Sequence, residues 1–153
     1  MKLITDLIHR LETFENGLKS GLYLQNIIQE NEAFIIDLNA QNQLYEQGIT
    51  SIGVNISDYA PYSDLTLQIK ELKGQPTDRV TLRDEGDFES SFYLQISDTQ
   101  FEIKAADGKT EDLIKKYGHA ILGLTNENLG LLIQDYIFPE ILKLRDSLVY
   151  GKD

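Results

Sequence analysis

Apolar residues at the start of the chain recur at helical intervals. The first of them share one face of a helix with 3.6 residues per turn: Leu3, Leu7, Ile8, Leu11 and Phe14. Asn16-Gly17 follows as a stop signal. From Leu18 to Gln47 a longer run of apolar positions keeps mostly helical spacing and ends at Gly48, as a helix C-terminus does. The pattern predicts a short amphipathic helix followed by a long one.

The middle of the chain changes to an alternating pattern. Residues 48–62 collect Gly, Asn, Ser, Asp and Pro, which predicts a loop with short extended pieces that is available for interactions. From Leu65 to Lys70 apolar and polar residues alternate as in a half-buried strand, and Val80 with Leu82 predicts another short extended piece. The same alternation in residues 92–97 and 101–105, on either side of Asp98-Thr99, predicts an antiparallel hairpin.

The last third returns to helical spacing. Thr110 is a candidate N-cap for a short helix that ends at Gly118. Thr125 is a candidate N-cap for a final long helix, which Pro139 must kink or divide. We therefore predict a single α+β domain over residues 1–153. Its long N-terminal and C-terminal helices pack on a small antiparallel sheet of three to four strands that includes the β-hairpin.

Composition supports a folded chain and narrows its chemistry. Apolar residues make up 41% and charged residues 25% of the 153 residues, close to the average for globular domains. Cysteine is absent, which excludes disulfides, thiolate nucleophiles and cysteine-ligated metal sites. The first ten residues lack a continuous apolar segment for export, and no run approaches the roughly 20 residues of a membrane span. We expect a soluble, unexported protein without a membrane partner.

Net charge argues against a nucleic-acid-binding protein. The 25 acidic and 14 basic side chains give a formal net charge of −11. Such a surface repels phosphate groups, so we expect no affinity for nucleic acid. The same repulsion would allow DNA to slide past a channel wall without binding to it.

Four acidic residues are close enough in the sequence to suggest a divalent cation site: Asp84, Glu85, Asp87 and Glu89. Gly86 stands among them, but the spacing is not that of an EF-hand loop. We favour structural or solvated roles, with Asp84 and Asp87 as helix caps and Arg79 and Arg83 as their partners. On this interpretation, replacing Glu89 by Ala has little effect.

Other residue types give no stronger case for catalysis. His9 has Asp6 and Glu12 three residues to either side, yet a solvated helix face is the commoner meaning of that pattern, and His119 is isolated. Ser90-Ser91 lacks the Gly-x-Ser-x-Gly elbow, and Lys73-Gly74 is not part of a Walker A loop. We expect no enzyme, and no catalytic, cofactor-binding or metal-binding residues.

The stretch from Gly74 to Phe92, preceded by the polar helix end from Asn39 to Gly48, resembles proteins of tailed phages that infect gut Bacteroides, including crAss-like phages. It is also similar, more distantly, to head–tail connector or tail-completion proteins of siphophages. In that group a Thr-Gly-x-Leu-x-x-Ser signature precedes a β-hairpin, a Tyr-Gly turn and a C-terminal segment with a Pro. The counterparts here are residues 85–91, the hairpin, Tyr117-Gly118 and Phe138-Pro139. Glu85 replaces the expected Thr, and Phe88 replaces the expected Leu.

The resemblance implies a structural virion protein that forms a homo-oligomeric ring at the neck, joins the capsid vertex to the tail and conducts DNA. Its partners would be portal, adaptor or tail proteins. It would lie at the head–tail junction after assembly in the host cytoplasm, and it would need no cofactor. We expect a structural motif at the entry to the hairpin: Arg83, Asp84, Gly86, Asp87, Phe88, Ser91 and Phe92. Candidate subunit contacts are Tyr59, Tyr62 and Asp98.

Two other functions stay open at the level of the sequence. An acidic binding or inhibitory module could mimic nucleic acid and block a host DNA-binding protein. Such a mimic would be monomeric or dimeric and absent from virus particles. An enzyme that uses Asp84 and Asp87 with a metal has less support, because no convergent His, Cys or Lys residues are visible.

Overall fold

The chain adopts an α+β fold in which helices predominate and a hairpin forms the sheet. A computed structural model describes residues 1–98 and 100–151. The predicted class, with long terminal helices and a small antiparallel sheet, is confirmed. Thr99, the second residue of the predicted hairpin turn, lies outside the described residues, as do Lys152 and Asp153.

Successive helical segments form the first third of the chain. Helix α1 spans Lys2–Lys19, α2 spans Leu22–Glu30, α3 spans Glu32–Asp37 and a π-helix spans Leu38–Gln47. The predicted stop at Asn16-Gly17 is wrong, because α1 continues through it. Gly17 instead permits close packing, since a Cβ atom there would lie within 2.2 Å of the Tyr23 ring. Gly48 ends the π-helix in the left-handed conformation, as predicted.

The predicted strand from Leu65 to Lys70 is wrong, because these residues belong to helix α4, Asp64–Leu72. Ser63 caps this helix by accepting a hydrogen bond from the Thr66 amide at 3.2 Å. The alternating pattern predicted that the apolar residues face the core. In the structure Leu65 and Ile69 face outward, whereas Lys70 is buried. The loop before α4 contains the predicted short pieces, a β-bridge between Ile49 and Asn55 and a 3₁₀ turn at Ile56–Asp58.

The predicted hairpin is confirmed, but the predicted third and fourth strands are wrong. Strand β1, Phe92–Ser97, pairs with β2, Gln100–Ala105, in the register Phe92↔Ala105 to Ser97↔Gln100. A short helix, α5, spans Asp87–Ser90 just before β1, whereas Val80 and Leu82 lie outside any strand. Helices α2 and α3 pack beside β1, and Glu32 accepts a hydrogen bond from the Leu94 amide at 3.0 Å. This contact occupies the outer edge of β1, one of the two edges at which a third strand could pair.

Helices return after the hairpin. Helix α6 spans Thr110–Tyr117, a 3₁₀ turn spans His119–Ile121, α7 spans Asn126–Leu132, a second π-helix spans Ile133–Ile137 and α8 spans Phe138–Tyr150. Thr125 caps α7, as predicted, by accepting from the Asn128 amide at 3.2 Å. The prediction that Thr110 caps α6 is wrong, because its hydroxyl donates to the Asp107 carbonyl at 2.7 Å. Pro139 lies in the first turn of α8, directly after the second π-helix.

The hydrophobic core joins α2, α3, the first π-helix, the hairpin and the C-terminal helices. Helix α2 contributes the buried Ile27 and the hairpin the buried Ile103, and the fully buried aliphatic residues include Ile35, Leu44, Ile56, Ile121 and Leu132. Helix α1 contributes no buried residue, and its main contacts among the described residues are with α2 and α8. The longest helix is therefore also the least integrated into the core.

Candidate functional site

The predicted structural motif folds as a turn followed by helix α5. Gly86 precedes the helix at φ 94°, in the left-handed region that favours glycine. The structure places Phe88 and Phe92 in the core, where their rings meet edge to face with centroids 4.9 Å apart. Ser91 donates to the Phe88 carbonyl at 2.7 Å and accepts from the Asp107 amide at 3.0 Å. The motif thus fixes the entry to β1 and the exit from β2.

Gly86→Val is expected to lower the free energy of unfolding by about 1–3 kcal/mol, because a β-branched residue is strained at this φ. Space is not the cause, since a Cβ atom at Gly86 would meet nothing within 4 Å. Gly108→Val is the matched control, because Gly108 is equally open but lies outside the left-handed region. Urea denaturation of both variants measures the difference, and equal losses would contradict strain as the cause.

Arg83 is the centre of a cluster of side chains beside this motif. Its guanidinium lies over the Tyr45 ring at 4.1 Å and donates to the Gln41 side-chain oxygen at 3.2 Å. Its Nε lies 3.4 Å from a Glu89 carboxylate oxygen. The predicted pairing of the arginines with Asp84 and Asp87 is wrong: Arg83 pairs with Glu89, and Arg79 pairs with Asp78 at 2.6 Å.

Glu89 is buried, so the expectation that it is easily replaced rests on a wrong premise. One of its oxygens faces Arg83, and the other is buried without a hydrogen-bond partner among the described residues. Burial raises the pKa of the Glu89 carboxyl above its usual value of 4.5, and its backbone hydrogen bond and Arg83 oppose that rise only in part. The folded state therefore binds this proton more tightly than the unfolded chain does.

Glu89→Gln is expected to remove a pH-dependent loss of stability. Because the folded-state pKa of Glu89 is raised, its protonated form stabilises the fold at low pH, and that contribution is lost as the pH rises through the folded-state pKa. The variant should therefore gain stability relative to the unmodified protein as the pH rises from about 4 to about 8. Urea denaturation across this range measures the gain, and Glu85→Gln controls for net charge. If Glu89→Gln were less stable than the unmodified protein by the same amount at every pH, pairing with Arg83 would outweigh the cost of burial.

The remaining acidic residues of this segment face solvent. Asp84 pairs with Lys73 at 2.6 Å, and the hydrogen bond from Lys73 lowers the pKa of the Asp84 carboxyl. Asp87 is exposed in the first turn of α5. Within residues 1–98 and 100–151, no three or more His, Asp or Glu side chains lie close enough together to hold a metal ion.

EDTA is expected to leave the thermal midpoint of the purified protein unchanged, because the core and its hydrogen bonds account for folding without a metal. Differential scanning calorimetry with and without the chelator is the measurement. A drop of many degrees would reveal a bound metal that contributes to folding.

Lys70 lies buried next to the cluster. Its ammonium donates to the Arg83 carbonyl at 2.6 Å and to Gln75 at 3.0 Å, and it lies 4.8 Å from the centre of the Tyr62 ring. The Tyr62 hydroxyl accepts from the Thr81 amide at 3.1 Å. Tyr62, a candidate subunit contact, therefore makes internal contacts.

The other two candidate subunit contacts, Tyr59 and Asp98, are exposed. Tyr59 directly follows the 3₁₀ turn in the loop before α4, and Asp98 lies at the tip of the hairpin. Of the three candidate subunit contacts, Tyr62 thus lies near the Arg83 cluster through Lys70. The three do not form one site.

The most extensive polar network is one that the sequence analysis missed. The Gln43 side chain donates to the Gly123 carbonyl at 2.9 Å and accepts from the Thr125 amide at 2.8 Å. Asn39 makes an equivalent pair of bonds, to the Ile121 carbonyl at 3.1 Å and from the Gly123 amide at 3.2 Å. Asn128 donates to Gln43 at 2.8 Å. This network of buried amide side chains joins the first π-helix to α7 and satisfies polar groups that would otherwise be costly to bury.

An open apolar cleft of about 1130 Å³ lies between α2, the hairpin and the start of α8. Its floor is formed by the buried residues Ile103 and Ile137. Exposed apolar residues line the cleft above this floor: Leu24, Tyr93, Ile133 and Phe138. Large apolar side chains in an open cleft are typical of a binding surface.

Helix α1 carries a second uncovered apolar surface, the apolar stripe. It consists of Leu3, Ile4, Leu7, Ile8 and Leu11, whose exposed fractions run from 39% to 84%. The same face of α1 continues to Phe14, which stacks on Tyr23 at 5.9 Å, so the C-terminal end of this face is covered. The sequence predicted this amphipathic helix but not that its apolar side would remain open.

None of the described helices is both long enough and apolar enough to cross a membrane. No family model matches the chain, and neither a curated protein nor a solved structure is significantly similar to it.

Proposed function

We propose that this chain is a structural virion protein, a non-enzymatic subunit of a ring at the head–tail junction of a tailed phage. The observation that carries the proposal is the apolar stripe of α1, which leaves the monomer with an uncovered helix face. The resemblance of residues 74–92 to connector and tail-completion proteins supplies the location. No convergent set of nucleophile, base and orienting residue in the described part of the chain argues for an enzyme instead.

The exposure of α1 is unusual for a helix of 18 residues. In proteins most of the stability of a helix comes from packing its apolar face rather than from its intrinsic propensity. Helix α1 packs at its C-terminal end and against α8, where Arg10 donates to the Val149 carbonyl at 3.5 Å. In the described part of the chain its N-terminal half keeps large apolar side chains exposed, so assembly with another subunit would complete its packing.

The net charge of −11 fits a subunit that conducts DNA. Carboxylates that face the lumen of a ring would keep phosphate groups from binding to the wall. The alternative role of the charge is to keep an abundant subunit soluble before assembly. Replacing carboxylates on the lumen side by Lys separates the two roles. Slower packaging or ejection, with the same number of replacements on the outer wall having no effect, supports the lumen role.

Locating the chain in purified phage particles tests the proposal. Electron cryomicroscopy of particles from the phage that encodes it should show density for this fold in a ring at the neck, in contact with portal, adaptor or tail proteins. Mass spectrometry of the same particles should detect the chain. Its absence from complete particles, together with co-purification with a host DNA-binding protein, would replace this proposal with the acidic mimic.

A further inference from the structure

The described part of this chain carries two uncovered apolar surfaces of opposite curvature. One is convex, the apolar stripe along α1, and the other is concave, the apolar cleft between α2, the hairpin and α8. The stripe presents Ile4, Leu7, Ile8 and Leu11 at positions i, i+3, i+4 and i+7, which is the anchor spacing of an amphipathic helix that binds in a hydrophobic groove. We infer that α1 of one copy docks in the apolar cleft of another copy. The inference rests on the proposed ring and names the two surfaces that join its subunits.

The cleft is better suited to a protein segment than to a small ligand. Its volume of about 1130 Å³ exceeds the roughly 300–1,000 Å³ of typical small-molecule sites. Polar residues such as Gln25, Thr110 and His119 line the cleft as well, but its floor of Ile103 and Ile137 is aliphatic and offers no polar side chain that would orient a ligand there. An apolar helix face needs no such orienting groups.

The area of the stripe is consistent with a contact between subunits. At their observed exposures, its five residues present roughly 400 Å² of apolar surface, about half of what one partner contributes to a standard interface. Residues at the edges of the cleft would supply part of the remainder. This area favours a contact that is weak between two free copies and is strengthened when a ring closes.

Charge favours a second copy as the occupant. The chain as a whole carries −11, so two copies repel each other over most of their surfaces. Residues 1–13 carry two basic side chains, Lys2 and Arg10, and two acidic ones, Asp6 and Glu12, so this segment is neutral. The cleft is lined by Lys104 together with Asp98 and Glu102, so its lining also contains both signs of charge. Docking α1 therefore joins two copies with little like-charge repulsion.

The arrangement is heterologous, because one copy contributes the stripe and the next contributes the cleft. Contacts of this type propagate from subunit to subunit and close into a ring when the rotation allows. Pairing of two stripes would instead be isologous and would stop at a dimer. The two geometries respond differently to mutations on each surface.

Mixing two defective variants tests the inference. Ile4→Asp/Ile8→Asp damages the stripe, and Ile133→Asp/Phe138→Asp damages the cleft; all four side chains are exposed, so folding should survive. Sedimentation velocity should show concentration-dependent association of the unmodified protein. In each variant alone, the affinity between copies should fall by on the order of 100-fold. A mixture of the two should form a 1:1 heterodimer and nothing larger, because one intact stripe meets one intact cleft.

Matched controls and a cross-link complete the test. Thr5→Asp/His9→Asp adds charge to the opposite face of α1 and should leave association unchanged. The chain has no cysteine, so single-cysteine variants Leu7→Cys and Ile133→Cys can form a disulfide only between copies. Leu7→Cys and Ile133→Cys are expected to form a disulfide-linked heterodimer. His9→Cys mixed with Ile133→Cys should form little of this product.

Three results would overturn the docking inference: an unmodified protein that stays monomeric at all attainable concentrations, a cleft variant that associates normally, or a mixture that stays monomeric. A stripe variant that fails while the cleft variant associates would indicate pairing of two stripes. None of these results bears on whether the chain is present at the neck of particles, so the ring proposal is tested separately by electron cryomicroscopy. Circular dichroism of each variant confirms that it remains folded.

Discussion

Gln43→Leu is expected to lower the free energy of unfolding by about 3–5 kcal/mol. The substitution keeps an apolar chain of similar length but leaves the Gly123 carbonyl and the Thr125 amide without their partner in the interior. Asn128 loses one of its acceptors as well. Each buried polar group left unsatisfied costs about 1–3 kcal/mol, so the losses together make a large fraction of the stability of an ordinary domain.

Gln47→Leu is the control for this substitution, because Gln47 lies four residues further along the same π-helix and is exposed. Its side chain donates only to Asn42, at 2.9 Å on the surface. The control should change stability by about 0.5 kcal/mol or less. Urea denaturation with a constant m-value measures both variants. A loss below about 1 kcal/mol for Gln43→Leu would show that water replaces the amide.

Phe88→Asp is expected to leave little folded protein, with a loss of at least about 4 kcal/mol. Phe88 is 5% exposed and packs against Phe92, so an aspartate there would be a carboxylate in the core without a cation beside it. Far-ultraviolet circular dichroism and the soluble yield of the purified variant measure the effect.

Two further variants at this site separate charge from packing. Phe88→Leu places in this chain the residue expected in the resembling signature, and it should cost about 1–2 kcal/mol because the cavity left by the ring is small. Ser90→Asp adds the same charge to an exposed position of α5 and should be nearly neutral. Normal folding of Phe88→Asp would contradict the role of this residue as an anchor of the hairpin.

Local signals in the sequence predicted those parts of the fold that local chemistry determines. Thr125 capped a helix, Gly48 and Gly118 ended helices, and the alternating residues of β1 and β2 formed a hairpin, each as expected. These features depend on one turn of chain or on two adjacent strands. Neighbours within a few residues are sufficient to determine them.

Features that depend on distant partners were not predictable in the same way. Leu65 and Ile69 looked like the inner face of a strand, whereas α4 directs them outward and buries Lys70 against the Arg83 carbonyl. The pairing of Arg83 with Glu89 and the burial of Gln43 depend on where the loop and α7 lie. The cap at Ser63 was a local signal for α4 that the alternating pattern concealed.

The network of buried amides has a consequence for the order in which the chain folds. It joins Asn39 and Gln43 to residues more than 75 positions later, so the intervening chain must be closed before any of these bonds can form. The entropy cost of closing a loop of that length must be met before these hydrogen bonds can stabilise the chain. We therefore expect the network to form late on the folding pathway. Interactions absent from the transition state act mainly on the unfolding rate. The buried amides therefore have little effect on the folding rate and slow unfolding, so they prolong the time that each molecule stays folded.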